Sequence, residues 1–262
     1  MTVFATAADG VRLAYEIAGG GTDIVFLVHG FGSSRAQNWH DTGWYDTLAK
    51  AGYRVVAMDA RGHGESDKPH ASEGYGHAAM AKDVLAVMDA ADIAAAHVMG
   101  YSMGGFIAIQ LAAQHPGRLR KLVVAGVGES YLDASDRRRD RVADPLVRAA
   151  IVAALRAPDP ATIENPTART FRAFADQPGK DRLALAACMA APAANLPAEA
   201  LARIALPVLV VCGEKDDLTG RPEGLAAAFA HGRAVTVPGR DHMTAVGDKL
   251  YKGAVLDFLA GD

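Results

Sequence analysis

The sequence predicts an α/β fold: a doubly wound, mostly parallel sheet with a helical cap inserted between two core strands. Three observations carry this. Short apolar runs recur without polar alternation, as strands covered on both faces require. Helical patterns separate those runs, which implies right-handed crossovers between parallel strands. One long stretch, from Val127 to about Leu206, breaks the rhythm with no strand-like run and seven prolines.

In chain order, Asp9-Gly10 marks a turn, so residues 2–6 and Val11 to Ile17 read as a hairpin. Continuous runs follow at Ile24–Val28, Tyr53–Met58, Ala96–Met99, Leu122–Ala125, Val208–Cys212 and Ala234–Val237. Helical patterns cover about 41–51, 75–91, 103–114, 220–230 and 244–260. The Ala-, Arg- and Pro-rich stretch reads as short helices with prolines at their ends. The expected organisation is a core of residues 1–126 and 207–262, with a cap at 127–206 in the same folding unit.

Composition bounds the function. The chain has 262 residues, 50% hydrophobic and 22% charged, which excludes a disordered chain. A net charge of −3 argues against nucleic acid or an anionic membrane surface as partner. The first ten residues lack a basic start followed by an apolar run, so no secretory signal is expected. No uninterrupted apolar stretch reaches about 20 residues, so no spanning helix is expected. A soluble cytoplasmic protein is the expectation. Cys188 and Cys212 are too few for a disulfide framework or a metal cluster and read as packing residues.

The strongest local signal is Gly100-Tyr101-Ser102-Met103-Gly104, between a predicted strand and a predicted helix. A nucleophile on so sharp a turn leaves no room for side chains two residues to either side, hence the two glycines. Ser102 then presents its hydroxyl clear of the backbone. A serine hydroxyl is a weak nucleophile and needs a base held by an acid. For this motif the chain order is Ser, acid, His. His242 follows the last strand, whereas His29 and His63 belong to glycine turns and His97 to a buried strand as a satisfied core residue. His40, His70, His77, His115 and His231 read as solvated. The acid could be Glu214, Asp216 or Asp217. Acyl transfer also needs donors for a developing oxyanion. The Met103 N–H opens a helix, and the Phe31 N–H, in His29-Gly30-Phe31-Gly32, is the natural second donor.

These features together resemble the α/β-hydrolase superfamily, in its cap-bearing serine esterase and lipase-like branch. The resemblance rests on His29-Gly30-Phe31-Gly32, Asp59-Ala60-Arg61-Gly62-His63-Gly64-Glu65-Ser66, Gly100 to Gly105, Gly213-Glu214-Lys215-Asp216 and Gly239-Arg240-Asp241-His242. It implies Ser102 as nucleophile, His242 as base, Asp216 as acid, and Phe31 and Met103 as oxyanion donors. Asp217 departs from the common pattern. The segment Asp59 to Ser66 has no reacting role and reads as a hydrogen-bonded turn. A dinucleotide fingerprint and a phosphate-cradling Gly-Lys-Ser/Thr loop are both missing.

The expected activity is hydrolysis of a small-molecule carboxylic ester through an acyl-enzyme on Ser102, with neither metal nor organic cofactor. Phe31, Tyr101, Leu218 and Met243 are expected to line the substrate site beside Met103, favouring a short to medium, largely apolar acyl group. Leu146, Ile151, Leu155, Phe171, Phe174, Leu183 and Leu185 could roof it or simply dock the cap. Alternatives on the same residues are C–C bond hydrolysis, lactone opening or acyl transfer, and in another class a ligand receptor with vestigial turnover. Arg137 to Arg139 read as a solvated charge run with Asp–Arg pairs or, alternatively, as an anchor for an anionic substrate or a carrier-protein partner.

Overall fold

The apolar runs pair into one sheet in a computed structural model that describes residues 1–132, 144–192 and 195–261. The Arg137 to Arg139 run lies outside the described residues. Strands β1 (Val3–Thr6), β2 (Arg12–Ala18), β3 (Ile24–Val28), β4 (Arg54–Met58), β5 (Ala96–Tyr101), β6 (Leu119–Ala125), β7 (Val208–Gly213) and β8 (Gly232–Val237) lie in the order β1-β2-β4-β3-β5-β6-β7-β8. β1 and β2 are antiparallel, and β2 meets β4 antiparallel; the remaining pairings are parallel.

Register brings the strand ends together. Val28 pairs with Gly100, Gly100 with Val124, Ala125 with Val211, and Gly213 with Val237. The loops that follow β3, β5, β7 and β8 therefore leave the sheet along one edge, where ligands of such sheets bind.

Helices cover both faces. On one, α2 (His77–Ala90), α3 (Met103–Gln114) and α8 (Pro222–Ala227) pack Val84, Met88, Ile107, Leu111 and Leu225 onto Val56, Val98, Val124 and Val210. On the other, α1 (Trp44–Lys50) and α9 (Lys249–Ala260) pack Trp44, Leu48, Tyr251 and Phe258 against Leu27, Met99 and Val211. Buried apolar area of this kind stabilises at about 25 cal/mol per Å².

Between β6 and β7 lie α4 (Pro145–Arg156), α5 (Pro166–Ala175), α6 (Arg182–Ala190) and the short α7 (Ala198–Leu201). Proline opens α4 and α5, where its missing N–H costs nothing. Asp144, Asn165 and Asp181 each accept from the first backbone N–H groups of α4, α5 and α6. Ile151, Leu155 and Leu185 are buried in the cap's own cluster, while Leu146 is 81% exposed. Ile151, Leu155 and Leu185 therefore hold the cap together, while Ala187, Ala191, Leu201 and Ile204 join the main core. Of the residues expected to roof the site, Phe171 and Phe174 reach the loop after β3, through Phe31 and Gly32.

Two elements differ from the sequence reading. β8 sits at the sheet edge with Arg233 and Ala234 exposed, since only β7 pairs with it. The last helix begins at Lys249 rather than near 244, because Asp241 draws the backbone N–H groups of Met243 and Thr244 into a turn.

Candidate active site

The turn between β5 and α3 holds Ser102 at φ 51° and ψ −118°, a strained conformation for a residue with a side chain. A Cβ on Gly100 would lie 2.1 Å from the Gly104 carbonyl oxygen, and one on Gly104 would lie 2.0 Å from that of Val28. Both positions exclude any side chain, as the sequence argument required.

Ser102 Oγ lies 3.0 Å from His242 Nε2, and His242 Nδ1 lies 2.7 Å from Asp216 Oδ2. The Asp216 carboxylate is an acceptor, so Nδ1 carries the proton it donates, and Nε2 is left to accept from the serine hydroxyl. Asp216 is buried, and its other oxygen accepts from the backbone N–H groups of Leu218 and Thr219. Asp217 is exposed, and Glu214 accepts from the Gly239 N–H instead. A Cβ on Gly213 would meet the Arg240 carbonyl oxygen at 2.3 Å, so that glycine lets the loop carrying His242 fold onto the end of β7.

The expected oxyanion donors sit on either side of Ser102. Met103 opens α3, and among the described residues neither its N–H nor that of Phe31 donates to a protein acceptor. A Cβ on Gly30 would lie 3.4 Å from Ser102 Cβ, so the loop after β3 passes directly beside the serine.

The expected substrate-lining residues separate. Phe31 is half-buried, with its ring 5.9 Å from Phe171. Leu218 is half-buried and Met243 is 64% exposed. Tyr101 is a correction: its ring is buried against Trp39, and its hydroxyl donates to the His242 carbonyl. It braces the histidine loop from beneath because the last residue of β5 points into the layer of α1 and α9.

Other corrections concern histidines. His77 is stacked on Phe106 at 5.0 Å, and burial lowers its pKa to about 4. His97 is buried with Nδ1 unpartnered, so it is not satisfied, and burial lowers its pKa to about 4.

The sequence reading missed three residues at the site. Asn38 accepts from the Gly30 N–H at 3.0 Å and so fixes the loop after β3. Asp241 shapes the turn that follows His242. Cys188 on α6 places its Sγ 3.8 Å from Met103 Sδ, which brings the cap to the nucleophile turn. Asn38 and Cys188 had no sequence signal, since one acts through a backbone group and the other across the cap, whereas Asp241 stood in the Gly239 to His242 motif without a role of its own.

The segment Asp59 to Ser66 is the hydrogen-bonded turn that was expected. Asp59 accepts from the backbone N–H groups of Arg35 and Glu65 and pairs with the Arg35 guanidinium. Arg61 is bidentate on buried Asp83, at 2.6 and 2.7 Å, and also reaches Asp9. His29 Nε2 accepts from the Ala60 N–H, and its Nδ1 donates to the Gly30 carbonyl.

This fold, with a serine on the turn after its central strand and a histidine and a carboxylate beside it, defines a class of proteins. The alpha/beta hydrolase fold family model matches residues 23–246, and the chain belongs to that family. In structure it is similar to a hydrolase from Pseudomonas aeruginosa PA01, with TM-score 0.76 and 30% identity over 99% of this chain and 98% of that one. In sequence it is 40% identical, over 50% of its length, to the dihydrolipoyllysine-residue acetyltransferase component of the acetoin cleaving system of Cupriavidus necator. It is 37% identical, over 45% of its length, to a 2-hydroxy-6-oxononadienedioate/2-hydroxy-6-oxononatrienedioate hydrolase of Paraburkholderia xenovorans. These matches span 36% and 40% of the relatives' own lengths. Among the described residues no helix is long and apolar enough to cross a membrane.

Proposed function

We propose that the protein is a serine hydrolase that cleaves carboxylic esters through an acyl-enzyme on Ser102. The observation that carries this reading is the unbroken hydrogen-bond relay from Ser102 through His242 to Asp216. Ser102 Oγ attacks the ester carbonyl as its proton passes to His242 Nε2. Asp216 holds the ring and stabilises the imidazolium. The Phe31 and Met103 N–H groups receive the oxyanion, with the positive end of α3 behind the second. The imidazolium then protonates the departing alcohol. A water, deprotonated by the same nitrogen, attacks the acyl carbonyl, releases the acid and returns the proton to Ser102.

Phe31 and Met103 lie on the two turns that meet at Ser102, and Phe171 and Cys188 of the cap pack against them. These apolar side chains support a short to medium, largely apolar acyl chain. A fluorophosphonate probe is expected to label Ser102. Ser102→Ala is expected to abolish turnover of 4-nitrophenyl butyrate, by about 10⁴-fold or more, with the melting temperature retained. Undiminished turnover would refute the assignment, and a C16 ester cleaved as fast as C4 would refute the chain-length preference. C–C bond hydrolysis on the same residues is the second reading, favoured by the similarity to the Paraburkholderia xenovorans enzyme. A panel including vinylogous diketones ranks the two.

A further inference from the structure

The cap carries a cation that the ester-hydrolase chemistry leaves unused. Lys180 is half-buried in the loop between α5 and α6, with its ammonium 3.2 Å from the centroid of the Phe174 ring. Phe174 lies on the oxyanion loop: a Cβ on Gly32 would meet its ring at 2.7 Å. One aromatic ring therefore separates the ammonium from the loop that offers the Phe31 N–H.

Lys180 has no carboxylate within ion-pair distance among the described residues, and its one polar side-chain partner is Gln177 Oε1 at 2.9 Å. The two nearest carboxylates in the chain are already engaged. Asp176 is held by Arg172 and Arg182. Asp181 caps α6 and accepts from His70. Burial lowers the Lys180 pKa to about 8, so it is still largely cationic at neutral pH. Its charge reaches the imidazoles of His29 and His63, behind the same loop, and helps to keep them neutral. A half-buried ammonium held by one amide oxygen and one aromatic ring, on the cap segment that packs on the loop after β3, favours an anion in the substrate.

We propose that Lys180 is a specificity-determining residue that binds a carboxylate at the far end of the acyl chain, so that the preferred substrates are half-esters of short dicarboxylic acids. The proposal rests on the ester-hydrolase reading and deepens it. The apolar surface around Ser102 meets the methylenes of the acyl chain, and Lys180 meets its charged end.

The test compares mono-4-nitrophenyl glutarate with 4-nitrophenyl pentanoate, which has the same chain length without the charge. The wild-type protein is expected to prefer the half-ester in kcat/KM. Lys180→Met is expected to lower the half-ester/neutral ratio about ten- to a hundredfold, the size of a charge-assisted hydrogen bond, while Lys180→Arg retains most of it. Raised salt is expected to lower the wild-type ratio as well. A ratio unmoved by Lys180→Met, with both esters slowed alike, would mean that the lysine only pins the cap to Phe174, and the proposal would fall.

Binding of ethyl hydrogen glutarate to the Ser102→Ala protein, by calorimetry, separates the two readings. Affinity at least tenfold weaker in Ser102→Ala/Lys180→Met supports the subsite even if no ester is cleaved. Equal affinity overturns it even if esters are cleaved well.

Discussion

Two histidine-bearing regions lie at the same sheet edge and do opposite things. After β8, His242 has one nitrogen on a carboxylate and the other on the hydroxyl of half-buried Ser102. After β3 and β4, His29 and His63 are fully buried and bonded to backbone: Ala60 and Gly30 for the first, Arg61 for the second. Burial lowers their pKa values to about 4 and about 3. A histidine's chemistry is thus set by what its second nitrogen meets. The ends of β3 and β4 build a rigid platform, and the ends of β5, β7 and β8 bring movable protons to it.

The largest expected effect breaks the reactive side of this contrast. Asp216→Asn leaves the shape but removes the charge that orients His242 and stabilises its protonated form. We expect kcat on a 4-nitrophenyl ester to fall by about 10³- to 10⁴-fold, with thermal stability nearly unchanged. Asp217→Asn, at an exposed position, should change the rate by less than about twofold. If Asp216→Asn retains most of its activity, the acid lies elsewhere in that loop.

The platform is expected to answer in stability instead. Arg61→Met leaves Asp83 as a buried carboxylate without its bidentate partner. Removing one member of a buried pair costs about 3–5 kcal/mol, because the other charge stays desolvated. Urea denaturation should show that loss, and Arg61→Met/Asp83→Leu should recover much of it. The ester rate of the folded fraction should stay within a few-fold of wild type. A rate loss comparable to that of Asp216→Asn would erase the distinction between the regions.

The parts of this arrangement that depend on local pattern could be read from the sequence, and those that depend on pairing could not. The buried strands show because both faces must be apolar, and Gly100 and Gly104 show because sterics at Ser102 admit nothing larger. β5 runs past Met99 to Tyr101 because Gly100 and Tyr101 pair with β6, information that a glycine in an apolar run conceals. The partners Arg61–Asp83 and Asn38–Gly30 lie 22 and 8 residues apart with no periodicity to link them. His77 looks solvated on its helix until the ring of Phe106 is laid over it. Lys180 is one cation among 27 until Phe174 and Gly32 are seen beneath it.

The smallest expected effect sharpens the contrast through pH. In the folded protein His63 is neutral down to about pH 3, because burial opposes its charge. In the unfolded chain it titrates near 6.5. Between these values unfolding takes up a proton, so stability falls as the pH falls from about 6.5, by about 1.4 kcal/mol per pH unit for each such group. His29 adds a second contribution of the same sign above about pH 4. Urea midpoints between pH 4.5 and 7 should therefore decline toward acid, and His63→Gln should flatten the slope by about one proton. An unchanged acid slope in His63→Gln would show that this imidazole already carries its proton in the folded state. The platform would then contain a buried charge next to Phe31, where the relay from Ser102 needs a neutral floor.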